Sequence, residues 1–198
     1  MTTLGKFSAA LSQALGVPLG EVKVVVRRQR GAGLLPLAGR ARQQRTMAID
    51  AARVLVGVMV IRIEGAGTPA AAVTADIARL ARLEHGAQLY VDADFILPGD
   101  FIGAVAEILA ALTDAGRRER AQQWIGRIGL ARGGGRMAGW IEIRGPSAEQ
   151  WEDFDYAISP EDVVTIMDAA PIVRRVEVRV SALQQIAKFL SDRPQGAG

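Results

Sequence analysis

The period of the apolar residues changes along this chain, and that change limits the fold to a mixture of helix and sheet. Leu4, Phe7, Ala10 or Leu11, Ala14 and Leu15 recur every three or four positions, the spacing of a single buried helical stripe. Between Val173 and Val180, Val173, Val176, Val178 and Val180 alternate with Arg175, Glu177 and Arg179, the period of a half-buried strand. Trp140, Glu142 and Arg144 alternate with Ile141 and Ile143 in the same way. Both kinds of apolar face must be buried in one chain, so the fold class predicted is α+β.

Glycine, proline and capping residues place the other elements. Thr2 or Thr3 caps the first helix, and Gly16 stops it. After Val17-Pro18, Leu19, Val22, Val25 and Val26 line one face of a second helix that Gly31-Ala32-Gly33 ends. The β-branched run Val22–Val26 also admits a strand; its distance from Gly16 and the polar tail Arg27–Arg30 favour helix. Leu34-Leu35-Pro36 reads as a short apolar plug and 37–45 as an exposed loop. A third helix is predicted from about Thr46, its N-cap, to Val60, with Asp50 in the first turn. Residues 64–69 form a break, and an Ala-rich helix follows from Pro69 to Leu83, ending near Gly86.

In the second half, Asp100–Ala115 reads as a strongly amphipathic helix, extended by the charged stretch Arg117–Gln123. Ile125–Leu130 and Trp140–Arg144 read as a hairpin around a glycine-rich loop over 131–139. Ser159-Pro160 starts a helix, and Ser181 caps a last one that runs to about Leu190. The organisation predicted is a helical head over 1–62, a connecting helix over 63–86, and an α+β body over 87–198 with a small antiparallel sheet. The Ala and Leu spacing of the connecting helix suits burial against a second copy.

Charge is distributed unevenly. Residues 1–46 carry eight cations (Lys6, Lys23, Arg27, Arg28, Arg30, Arg40, Arg42 and Arg45) against the single acid Glu21, a balance of +7. The remainder stands at −4 within a total of +3. A basic segment on a mildly acidic body points to a polyanionic partner. Arginine dominates it, and the planar guanidinium donates in pairs to phosphates and base edges.

Composition narrows the alternatives. The chain has no cysteine, which excludes disulfides, thiolate-ligated zinc and thiol nucleophiles, and fits a cytoplasmic protein. Its single histidine, His85, leaves little room for a Ser-His-Asp triad or a histidine-based metal site. An apolar share of 49% argues against disorder, and no apolar run approaches the roughly 18 residues that suggest a membrane span. The start of the chain lacks the basic and apolar regions of a secretory leader.

Helix, Gly16 turn and helix form the central constellation. Leu11, Leu15, Gly16, Val17, Val22 and Val25 fall at the spacing of two helices meeting at a tight turn, where glycine supplies the left-handed backbone. Over residues 8–27 the chain resembles the helix-turn-helix family, and Gly33–Pro36 followed by the basic loop resembles its winged-helix members. Ser12 stands where that family usually carries alanine between the helices. The resemblance implies that the second helix enters the DNA major groove. Gly20, Glu21, Lys23 and Val24 would then face base edges, and Lys23, Arg27, Arg28 and Arg30 would meet phosphate or base. Arg40, Arg42 and Arg45 would reach the backbone or a narrow minor groove from a wing or arm.

The resulting expectation is a non-enzymatic, sequence-specific DNA-binding protein, a transcriptional regulator of bacterial or prophage type. It would act on double-stranded DNA as a homo-oligomer, most simply a homodimer, with no cofactor, no metal and no membrane contact, and its C-terminal domain could take a protein partner. Two other readings remain open: a DNA-packaging or replication accessory protein of a mobile element, resembling a small terminase subunit, and a protein–protein adaptor or structural subunit. Asp92, Asp94 and Asp100 near His85 lack the spacing of a calcium loop. Gly133-Gly134-Gly135-Arg136 lacks the lysine and hydroxyl residue of a P-loop and reads as a hairpin turn, with Arg132 and Arg136 as a second possible contact to nucleic acid. The acidic stretch Glu149, Glu152, Asp153 and Asp155 reads as a solvated face.

Overall fold

Residues Ala48–Glu64 form a helix that is apolar on nearly every side, from Ala51 and Ala52 through Val54, Leu55, Val56, Val58 and Met59 to Ile63. Such a helix has no face to give to water and must be enclosed by others. It is the centre of the computed structural model, which describes residues 3–36, 47–65, 77, 80–82, 89–92, 95–144, 152–157, 159–166 and 173–191.

In chain order the elements are α1 (Leu4–Leu15), α2 (Leu19–Gly31), α3 (Ala48–Glu64), β1 (Ala81–Arg82), β2 (Leu89–Asp92), β3 (Phe95–Leu97), α4 (Phe101–Thr113), α5 (Arg118–Trp124), β4 (Ile125–Gly133), β5 (Arg136–Ile143), β6 (Glu152–Ala157), α6 (Pro160–Val164), β7 (Val173–Arg179) and α7 (Val180–Ser191). The protein is thus α+β, with helices first and an antiparallel sheet in the C-terminal part. The sheet order is β6-β5-β4-β7, extended beside β6 by the two residues of β1, while β2 and β3 form a separate hairpin.

One face of the sheet is packed under helices. Ile128, Leu130, Ile141, Ile143, Tyr156 and Val178 point to that side and join a continuous core with α3, α4 and α7. Gly139 makes room for α4 to settle, because a Cβ there would lie 2.8 Å from the Phe101 ring. Phe101 in turn meets Tyr156 edge to face, with ring centroids 5.5 Å apart. Phe7, Leu11, Val22 and Val25 of the first two helices belong to the same core as Leu183 and Ile186 of α7. Described residues of 1–62 and of 87–198 thus contribute to one hydrophobic cluster.

The opposite face carries Arg127, Trp140, Glu142, Asp153, Asp155 and Glu177 on adjacent strands. Trp140 lies over Gly129, occupying the space a side chain would need. Arg127 bridges Glu142 and Glu177 at 2.9 Å each. Burial alone would lower the Arg127 pKa, but the hydrogen bond its guanidinium donates to Glu177 and the charges of Glu142, Glu177 and Asp153 outweigh it, so the guanidinium is held more firmly charged than usual.

Several boundaries differ from expectation for identifiable reasons. The hairpin loop is far shorter than 131–139: the strands continue to Gly133 and from Arg136, and Gly134 and Gly135 turn the chain with φ of 57° and 79°. Positive φ at both positions suits a two-residue hairpin turn, so the glycines tighten the connection instead of loosening it. The charged stretch after α4 is a separate helix, α5. Asp114 is extended, and its carboxylate accepts from Gly116 N–H at 2.8 Å and Arg117 N–H at 3.1 Å, closing a turn between the two helices. Ala81 and Arg82, expected within the Ala-rich helix, pair with Ala157 and Tyr156 as a strand. Hydrogen bonding along the edge of β6 outweighs local helix preference there. The last helix begins at Val180, so Ser181 lies inside it and is not its cap. Most of the Ala-rich segment, His85, Asp94, Glu149 and the final residues lie outside the described residues.

Candidate nucleic-acid interface

The α1–α2 turn is built by short-range forces. Thr3 caps α1 through its hydroxyl oxygen, which accepts from Lys6 N–H at 3.4 Å. Gly16 adopts φ 62° and ψ 30°, a left-handed geometry that costs an L side chain roughly 1–2 kcal/mol and glycine nothing. Val17 N–H then donates back to Ser12 C=O at 3.1 Å, closing the helix end. The Ser12 hydroxyl donates to Val17 C=O at 2.6 Å, so the residue that departs from the helix-turn-helix pattern ties the turn together. Leu11, Val17, Val22 and Val25 are buried as the spacing predicts, and Leu15 is half-buried against the same core.

This arrangement sorts the candidate residues on α2. Gly20, Lys23 and Arg27 are exposed and lie on one outward face, together with Gly31. Lys23 and Arg27 are one turn apart, placing two cations roughly 6 Å apart along the helix. Val24 is half-buried and packs on the core. Glu21 faces α3, where it pairs with Arg62 at 3.5 Å. Arg28 and Arg30 are half-buried in the last turn, where cations also offset the helix dipole. The Nε of Arg30 is buried without a hydrogen-bond partner among the described residues. Arg40, Arg42 and Arg45 lie outside the described residues. Of the ten candidates, the outward face brings together Gly20, Lys23 and Arg27.

Three residues not anticipated as part of the site hold α2 in place. Gln29 is buried, and its amide donates to Arg53 C=O on α3 at 2.6 Å. Arg53 donates to Leu34 C=O at 2.7 Å, which anchors the chain as it leaves α2. Arg62 takes up Glu21. Gly57 allows the helices to approach this closely, since a Cβ there would lie 2.6 Å from both Gln29 Nε2 and Val25 Cγ1. The one available sequence signal was Gln29, a polar residue continuing the apolar series Val22, Val25, Val26 at helical spacing.

A second basic location lies at the end of the β4–β5 hairpin. A cavity of about 180 Å³ is lined by Glu64, Arg132, Gly133, Gly134, Gly135 and Arg174. Arg132 and Arg174 face each other across β4 and β7, on the side of the sheet beneath the C-terminus of α3. Arg174 donates to Ile63 C=O at 3.1 Å, and Arg132 is ion-paired with Glu64. Both arginines thus serve the negative end of α3, which accounts for their position without a ligand. Arg136 is engaged by the nearly buried Asp162 at 2.8 Å.

Among the described residues, no three His, Asp or Glu side chains converge as metal ligands would, and no helix is long and apolar enough to cross a membrane. No protein-family model, curated protein or solved structure matches this chain significantly.

Proposed function

We propose that this protein binds double-stranded DNA through the outward face of α2, with Lys23 and Arg27 contacting phosphates or base edges and Gly20 allowing close approach. Sequence-specific regulation of transcription is the role this reading favours. Its main support is the pairing of a tight Gly16 turn with an exposed, basic face on the helix that follows it. The latch formed by Glu21–Arg62 and Gln29–Arg53 supplies the rigidity a reading helix needs. Arg40, Arg42 and Arg45 extend the same basic region in sequence and would add backbone contacts.

The test is fluorescence anisotropy on random and then selected duplexes, titrated from low to physiological salt. Wild type should bind random duplex with an affinity that falls steeply as salt rises. Lys23→Ala combined with Arg27→Ala should weaken binding and flatten the logarithmic salt slope by about two units, near one per lost phosphate contact. An unchanged slope would remove α2 from the interface, and no binding even at low salt would discard the DNA reading.

A further inference from the structure

We propose that the cavity at the turn of the β4–β5 hairpin is a binding site for a small phosphoryl ligand, inorganic phosphate or a phosphomonoester. Arg132 and Arg174 are directly opposed on β4 and β7, so they share one face of the sheet. Like charges at such positions repel, because their Cβ atoms lie only about 4.5–5.5 Å apart. Holding the end of α3 explains where the two side chains sit, but it leaves their charge in excess. Glu64 supplies one full negative charge to Arg132, and the Ile63 carbonyl supplies only a partial one to Arg174. A guanidinium carries five N–H donors. Among the described residues, each of these two meets that single acceptor.

The cavity between them has the size and the donors that an oxyanion needs. It is lined by described residues throughout, and its volume of about 180 Å³ is far above the roughly 10–15 Å³ that admits one water. An ion of five heavy atoms therefore has room there. Gly133, Gly134 and Gly135 put no side chains into this space, and a Cβ at Gly135 would meet nothing within 4 Å. The last ladder pair is Gly133 with Arg136, so the N–H groups of Gly134 and Gly135 lie outside the ladder, and no described residue accepts from them. Two guanidinium forks and two turn amides provide more donors than a carboxylate has oxygens to fill. They suit a tetrahedral group that presents three or four acceptors. The same excess of positive charge turns away metal cations.

Isothermal titration calorimetry on the full chain, without DNA and at constant ionic strength in chloride, tests this. The probes are inorganic phosphate, glycerol phosphate and acetate. Wild type should bind both phosphates saturably and acetate more weakly. Arg174→Gln should weaken phosphate binding by about tenfold or more, because charge-assisted hydrogen bonds are lost. Arg174→Lys should fall between the two, since it keeps the charge and loses the fork. Glu64→Gln should tighten binding, because it removes the carboxylate that competes with the ligand for Arg132. Circular dichroism checks that each variant is folded. Tighter binding of glycerol phosphate than of inorganic phosphate would assign the site to an ester, and the reverse order to the free ion. No saturable phosphate binding to wild type overturns the proposal. So does acetate that binds as tightly as phosphate, a folded Arg174→Gln with unchanged affinity, or a Glu64→Gln that binds more weakly. Every titration is free of DNA, so these results leave the DNA reading to its own test.

Discussion

Gly16 and Gly20 lie four residues apart on the candidate interface, and alanine should act on them in opposite directions. At both positions an added Cβ meets no atom within 4 Å, so packing contributes little to either change. Backbone conformation then decides the sign. At Gly16, φ of 62° forces alanine into the left-handed region at a cost of roughly 1–2 kcal/mol. Gly20 is exposed in the first turn of α2, where alanine should stabilise by about 0.5–1 kcal/mol by restricting the unfolded chain. For a domain of this size each kcal/mol moves the melting midpoint by about 2–4 °C, so Gly16→Ala should lower it by about 2–8 °C and Gly20→Ala should raise it by about 1–4 °C. Circular dichroism at 222 nm, with urea unfolding to check that the m-value is unchanged, measures both. Gly16→Asn should fall between wild type and Gly16→Ala, because asparagine tolerates the left-handed region. A neutral Gly16→Ala would refute the left-handed turn, and a destabilising Gly20→Ala would refute the open outward face. Under the DNA reading, Gly20→Ala has a separate consequence: it should bind duplex more weakly while being more stable.

Other substitutions probe what surrounds the site. Gly57→Val should separate α2 from α3 and cost about 1–3 kcal/mol in urea unfolding, because Val25 and Gln29 already occupy the space its side chain would need. Asp162→Ala should cost about 1–2 kcal/mol, since the buried carboxylate accepts from Ser159 N–H at 3.1 Å at the start of α6 and from Arg136 at 2.8 Å; Asp162→Asn should recover part of that loss. Arg127→Met should destabilise by less than about 1 kcal/mol at low salt, because the side chain is partly exposed, and the effect should shrink at about 1 M salt as the acids left behind are screened. A loss that persists unchanged in high salt would assign Arg127 a packing role instead of an electrostatic one.

What the chain's local pattern determined is what depends on neighbours a few residues away. The bounds of α1, the glycine stop, the helical state of Val22–Val26 and the strand at Val173–Arg179 all follow from apolar period and capping. Gly16 and the outward placement of Lys23 and Arg27 were legible for the same reason. Glycine-rich sequence at 133–135 was ambiguous, because the same residues permit a loose loop or the tight turn that strand pairing selects. Tertiary structure alone decided that β7 lies beside β4, that Ala81–Arg82 join β6, and that α2 is fastened to α3. Gln29 reaches Arg53 across 24 positions, and Arg174 reaches Ile63 across 111. Such contacts leave no local periodicity. Their partners are chosen by which surfaces meet when the core closes, and the buried amide of Gln29 then takes the carbonyl that the packing brings within reach, since a buried donor left unpaired costs about 1–3 kcal/mol.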